Sequence, residues 1–104
     1  MRFKKTRWGW WLVLVSREHF KVKLLWFKSG LKCSRQYHDH RNELWLMLRG
    51  WGSMRVGGKM TDIKPGEWRH VPIGTQHKFV AIDSSLFLEI QYGDFCEEED
   101  IVRV

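Results

Sequence analysis

Apolar and polar positions alternate along much of this chain with a period of two. His19–Phe27 sets Phe20, Val22, Leu24 and Trp26 on one face against Lys21, Lys23, Leu25 and Phe27 on the other. One face is therefore apolar throughout and the other turns polar near its start, as expected of a strand. Trp10–Val15 is a continuous β-prone run. Glu43–Arg49 places Leu44, Leu46 and Leu48 opposite Glu43, Trp45 and Met47, which predicts a strand covered on both faces and hence two layers. Gly57-Gly58, between Trp51–Val56 and Lys59–Ile63, predicts a two-residue hairpin, because both positions can take positive φ. Further breaks are expected at Ser29-Gly30, Lys64-Pro65-Gly66, Pro72-Ile73-Gly74 and Asp83-Ser84-Ser85. Short strands at that spacing predict an antiparallel sandwich or barrel. No stretch keeps a 3.6-residue period long enough to predict a helix, so the fold class is all-β.

Composition adds bounds to this picture. A chain of 104 residues, 43% hydrophobic and 14% aromatic with two prolines, has enough apolar surface for one core and no room for a second. We expect a single domain over 1–104 with a short acidic tail over 94–104. Residues 1–78 hold 17 Lys/Arg against 5 Asp/Glu, whereas residues 79–104 hold 1 against 7, so the basic part is suited to attracting anions. The basic residues alternate along strands and form no run, which argues against nucleic acid as the partner. Cys33 and Cys96 stand far apart with no CxxC pair, the pattern of reduced thiols in a cytoplasmic protein. The basic start followed by Trp8–Val15 is shaped like a signal peptide. The apolar run is nevertheless too short for a membrane span and has no cleavage site, so a strand is expected there and no membrane partner.

The candidate chemistry lies in Gln36-Tyr37-His38-Asp39-His40-Arg41-Asn42-Glu43. On an extended strand His38 and His40 share a face. A turn through Arg41-Asn42 would let Glu43 open the next strand facing inward with Trp45 and Met47. Two imidazoles and a carboxylate make a site for a divalent first-row metal, and His77, after the Pro72–Gly74 turn, is an available fourth ligand. Singly these signals are weak, since an HxH pair on a strand is more often a surface pair than a ligand set. Together the spacing Gly30-x7-His38-x-His40-x2-Glu43-x6-Gly50, then Gly66-x5-Pro72-x-Gly74-x2-His77, resembles the two-part motif of the cupin superfamily. The resemblance implies a small double-stranded β-helix, or jelly-roll barrel, with one divalent metal ion (Zn, Mn, Fe, Co or Ni) on His38, His40, Glu43 and His77. The His40–Glu43 gap is shorter than in most cupins, and Ala81 stands where many have Asn.

Within that superfamily, Gln36-x-His38-x-His40-Arg41-x-Glu43-x-Trp45 is similar to the cupin domain of type II mannose-6-phosphate isomerases. That domain is often the C-terminal part of mannose-1-phosphate guanylyltransferases. Arg7-Trp8-Gly9 resembles its opening R-P-W-G without the proline, and Glu89-x-Gln91-x-Gly93 with Glu99–Arg103 resembles its closing segment. The family pattern continues with an acidic residue and Y-G-R beyond the position of Val104. The resemblance implies metal-assisted interconversion of mannose 6-phosphate and fructose 6-phosphate, with a small sugar phosphate as partner. Alternatives are a non-catalytic sugar- or sugar-nucleotide-binding cupin and an iron-dependent dioxygenase. Arg41, Glu89 and Arg103, with Lys64, are candidates beyond the metal set, the two arginines for phosphate because a guanidinium binds it in a bidentate manner. Arg41 could equally be a solvated turn residue. His19 and His70 lie in expected strands without a partner and read as exposed or core-edge residues. Trp45 shares a face with Glu43 and is the tryptophan best placed to line a pocket, while the others fit packing or an interface. Polar and aromatic strand faces also predict a homodimer that protects sheet edges.

Overall fold

The computed structural model describes residues 2–31, 36–37, 41–93 and 102–103. Among the described residues nine strands appear, in the order β1 (Arg2–Lys5), β2 (Gly9–Ser16), β3 (Phe20–Phe27), β4 (Gln36–Tyr37), β5 (Arg41–Val56), β6 (Lys59–Ile63), β7 (Trp68–Val71), β8 (His77–Gly93) and β9 (Val102–Arg103). All pairings are antiparallel, and β5 and β8 are long enough to belong to two layers. The first half of β5 and the second half of β8 join β1, β2, β3 and β7. Their other halves join β6, β4 and β9.

The change of layer happens where the β5–β8 register shifts, between Met47 and Gly52. Asp83-Ser84-Ser85 was expected to break the chain, but β8 runs through it. The small polar residues bend the strand instead of reversing it, with Ser85 buried and its hydroxyl 2.8 Å from the Asp83 carbonyl. Likewise the expected strands 43–49 and 51–56 are one bent strand. Gly50 makes the bend possible: its φ is +89°, and a Cβ there would collide with the backbone of Ser84 and Ser85. Gly50→Ala is expected to lower stability by about 2 kcal/mol or more in urea denaturation, since the left-handed region alone costs an L-residue about 1–2 kcal/mol. Gly58→Ala, with open space around it, should be near neutral.

The turns otherwise fall where the glycines predict. Of the hairpin pair only Gly57 has positive φ (62°), so the turn needs one permissive residue, as in type II′. Gly66 and Gly74 close the β6–β7 and β7–β8 turns. His19 lies in a bend ahead of β3, not in the strand, with Nδ1 3.2 Å from the Gly93 carbonyl. The edge strand β1, Arg-Phe-Lys-Lys and wholly exposed, carries no alternation and was not foreseen as a strand.

The interior of the first layer is ordered in rows across the strands. Trp11, Leu25, Phe87 and Met47 form one apolar row. The next is Val13, Lys23, Glu89 and Trp45, and the next Lys21, Gln91, Glu43 and Val71. Phe27, Phe79 and Phe87 pack edge to face at the apolar end, with ring centroids 4.8–5.9 Å apart. The core is thus aromatic at one end and charged at the other. The face of β3 that is apolar throughout looks outward, and the face that carries Lys21 and Lys23 looks inward. On β5 the outer face is only partly covered, Leu44 and Leu46 being half-buried and Leu48 exposed, so the expected cover on both faces is incomplete.

Candidate functional site

The charged end of the interior brings together residues far apart in sequence. β5 supplies Arg41, Glu43 and Trp45, β8 supplies His77, Glu89 and Gln91, and β3 supplies Lys21 and Lys23, all at most 4% exposed. Burying so many ionisable groups is costly unless they satisfy one another. Glu43 accordingly uses both carboxylate oxygens: Oε2 accepts from Arg41 Nε at 3.0 Å, and Oε1 from Trp45 Nε1 at 2.8 Å. These partners sit at i−2 and i+2, which on a strand is the same face. His77, the first residue of β8, reaches over from the other layer. Its Nε2 lies 3.6 Å from Glu43 Oε1, and its ring stands at 69° to Trp45.

Arg41 therefore opens β5 as a buried residue, and the expected turn through Arg41-Asn42 does not form; nor is Arg41 a solvated turn residue. Strand register puts it two positions before Glu43, where its guanidinium is needed to offset a buried carboxylate. Glu89 is the second carboxyl. Its Oε1 accepts from Gln91 Nε2 at 3.0 Å. Burial first, then the charge of Glu43 and a hydrogen bond with it, hold the Glu89 carboxyl well above its usual range, against the lowering pull of Lys23 and Arg41. Two adjacent carboxyls of this kind favour sharing a proton.

Of the other residues singled out from the sequence, His38 and His40 lie outside the described residues, as do Cys33, Cys96 and 94–101 of the acidic tail. The backbone of Arg103 in β9 pairs with Gln36, which pairs in turn with His77. Lys64 sits in the exposed β6–β7 turn. His70 is exposed, its Nε2 3.0 Å from the Tyr92 hydroxyl. Lys21, Lys23 and Gln91 were not anticipated in the site. The available signal was that the lysines share a strand face with Leu25 and Phe27, and Gln91 with Glu89.

Two layers sharing bent strands, closed around an interior with ionisable residues at one end, define a double-stranded β-helix of the cupin class. Solved structures agree on the fold: oxalate decarboxylase from Bacillus subtilis superposes with a TM-score of 0.89 at 16% identity, over 99% of this chain and 30% of that one. KdgF from Halomonas sp. superposes at 0.80 and 15% identity, over 86% and 81%. The family model "Mannose-6-phosphate isomerase C-terminal" matches residues 3–104. Mannose-1-phosphate guanylyltransferases from Klebsiella pneumoniae and Escherichia coli are each 33% identical over 102 residues, 93% of this chain. The chain belongs to the mannose-6-phosphate isomerase C-terminal family. It spans about a fifth of the length of these relatives (21%).

Proposed function

We propose that this chain is an aldose–ketose isomerase that interconverts mannose 6-phosphate and fructose 6-phosphate, with one divalent metal ion held by His38, His40, Glu43 and His77. The observation that carries the reading is the buried Glu43–Glu89 carboxyl pair with the His77 imidazole converging on it, in a member of this family. The residues fit an ion. His77 Nε2 and Glu43 Oε1 approach within 3.6 Å from different layers, and an imidazole with a carboxylate suits Zn, Mn, Fe, Co or Ni. Such an ion supplies Lewis acidity to the carbonyl and hydroxyl oxygens of a sugar.

The chain's own groups account for the rest. Arg41 and Trp45 fix the orientation of Glu43, so Arg41 is a positioning residue and not a phosphate contact. Glu89, held at Oε1 by the Gln91 amide, takes the proton from C2 of the aldose and returns it to C1, while the O2 hydroxyl proton passes to O1, leaving the ketose. Its raised proton affinity suits a group that must both accept and return a proton. Arg103 enters as a substrate contact on the register that links it through Gln36 to His77. Among the described residues no helix is long and apolar enough to cross a membrane. With Cys33 and Cys96 as reduced thiols, the reading puts the protein in the cytoplasm.

The test is NMR of mannose 6-phosphate and fructose 6-phosphate in deuterated water with the metal-reconstituted protein. Interconversion with deuterium entering at C1 or C2, lost on chelation and in His77→Ala, is expected. Binding without exchange would replace the reading by a non-catalytic cupin.

The homodimer belongs to the same reading. On the outside of the first layer Phe3, Leu12, Leu24, Leu88, Leu46 and Trp68 form one row across six strands, apolar at every position. Phe3 and Trp68, at its two ends, are 53% and 59% exposed. A second copy laid on this face would cover the row. Sedimentation velocity should give a dimer mass for the wild type and a monomer for Phe3→Lys with Trp68→Lys.

A further inference from the structure

Gln91 is fully buried, yet half of its amide is unsatisfied. Its Nε2 donates to Glu89 Oε1 at 3.0 Å, whereas among the described residues no group donates to its own Oε1. A buried carbonyl oxygen without a donor is costly, and the great majority of such atoms in folded proteins have a partner. Holding Glu89 accounts for the Nε2 but not for the Oε1. A methionine of similar length would fill the same volume and leave no polar atom to satisfy. The position of Gln91 indicates what the oxygen is for. It follows Glu89 by two residues on β8 and so shares its face, and in register it stands opposite Glu43 on β5. The bond to Glu89 fixes which end of the amide faces that carboxyl. The oxygen is thereby turned away from Glu89 while staying beside the carboxyl pair. With about 2.3 Å between the oxygen and nitrogen of an amide, Gln91 Oε1 lies within roughly 5.5 Å of Glu89 Oε1.

We propose that Gln91 determines specificity, its Oε1 accepting a hydrogen bond from the C3 hydroxyl of the sugar. The inference rests on the isomerase reading and adds a substrate contact to it. With C2 at a reacting distance of about 3–3.5 Å from the Glu89 carboxyl, the C3 hydroxyl is the nearest donor of the sugar that takes no part in the bond changes. Because C3 is untouched by the interconversion, aldose and ketose offer this hydroxyl in the same configuration. One acceptor serves both. The contact therefore acts on affinity, whereas the amide nitrogen acts on the chemistry through Glu89. A sugar that reaches Glu43 is one strand spacing, about 4.8 Å, from Gln91, so the contact needs no further route into the interior.

The probes are fructose 6-phosphate and its 3-deoxy analogue, each titrated into the metal-reconstituted full chain by calorimetry. The wild type is expected to bind fructose 6-phosphate about tenfold more tightly or better, since the analogue encloses Oε1 without giving it a donor. In Gln91→Met, which keeps the side-chain length and removes both amide atoms, the two sugars should bind within about twofold of each other. A side chain that only held Glu89 would weaken both sugars alike and leave their ratio unchanged, so the ratio reads the oxygen alone. Equal affinity of the wild type for the two sugars would overturn the inference, as would a preference that survives in Gln91→Met or no binding of either sugar. The wild-type comparison decides the matter even where the variant does not fold. The two proposals fail separately. A preference for fructose 6-phosphate that vanishes in Gln91→Met, in a protein that exchanges no deuterium, keeps the contact and removes the isomerase. Deuterium exchange in a wild type that binds both sugars equally does the reverse.

Discussion

Glu43→Ala is expected to destabilise the metal-free protein by about 3–5 kcal/mol, the range for removing one partner of a buried ion pair. The Arg41 guanidinium is 4% exposed and donates to Glu43 Oε2 at 3.0 Å, so truncation leaves a buried cation without that carboxylate. The Trp45 indole N–H loses its acceptor at the same time. Denaturation in urea with a chelator present would measure the loss, and a value under about 1 kcal/mol would mean that water reaches Arg41. The double variant Arg41→Met with Glu43→Leu provides the complementary test. Replacing both charges by apolar side chains of similar size should recover most of the loss, because the pair repays its own desolvation poorly. Glu43 is then kept for what its carboxylate does, since stability alone would not select it.

That contrast bears on what the sequence could reveal. Period-two alternation located β3 and the start of β5, a continuous β-prone run located β2, and glycine and proline located the turns, because these signals depend on backbone geometry within a few residues. Glu43 was placed inward with Trp45 and Met47 by the same local rule. The side of β3 that faces the interior was not legible. Counting apolar residues would put Phe20, Val22, Leu24 and Trp26 inside, yet Lys21 and Lys23 are the buried pair. Their burial depends on Glu89 and Gln91, more than sixty residues away on β8, so no window around β3 contains the reason. Asp83–Ser85 misled in the opposite sense. Its composition signals a turn, but the bend in β5 at Gly50 gives β8 a partner to follow, and the same residues become a corner within one strand. Arg41 was read as a phosphate candidate or a solvated turn residue, because its partner is visible only once strand register sets it beside Glu43.

Glu89→Gln should separate stability from chemistry. The folded-state pKa of Glu89 is raised above its ordinary value of 4.5, with burial as the largest cause and the Glu43 charge next. A raised pKa means that the neutral carboxyl is what the fold accommodates. Its contribution is fully present below the unfolded pKa and declines as pH rises toward the folded pKa, because over that window the unfolded chain releases a proton that the folded chain retains. Glutamine keeps the shape and cannot ionise. In chelated protein the variant should match the wild type near pH 4 and exceed it progressively above pH 4.5, by at most about 1.4 kcal/mol per pH unit. A stability difference that does not change with pH would show that Glu89 does not hold its proton. The metal-loaded variant should lose deuterium exchange at C1 and C2 by about 10²–10⁴-fold, the usual range for a general acid–base group. Its affinity for fructose 6-phosphate should stay within a few fold. A variant that is more stable at neutral pH and still binds substrate, yet does not exchange, cannot owe its inactivity to a damaged fold. Full exchange in the same variant would move proton transfer away from Glu89.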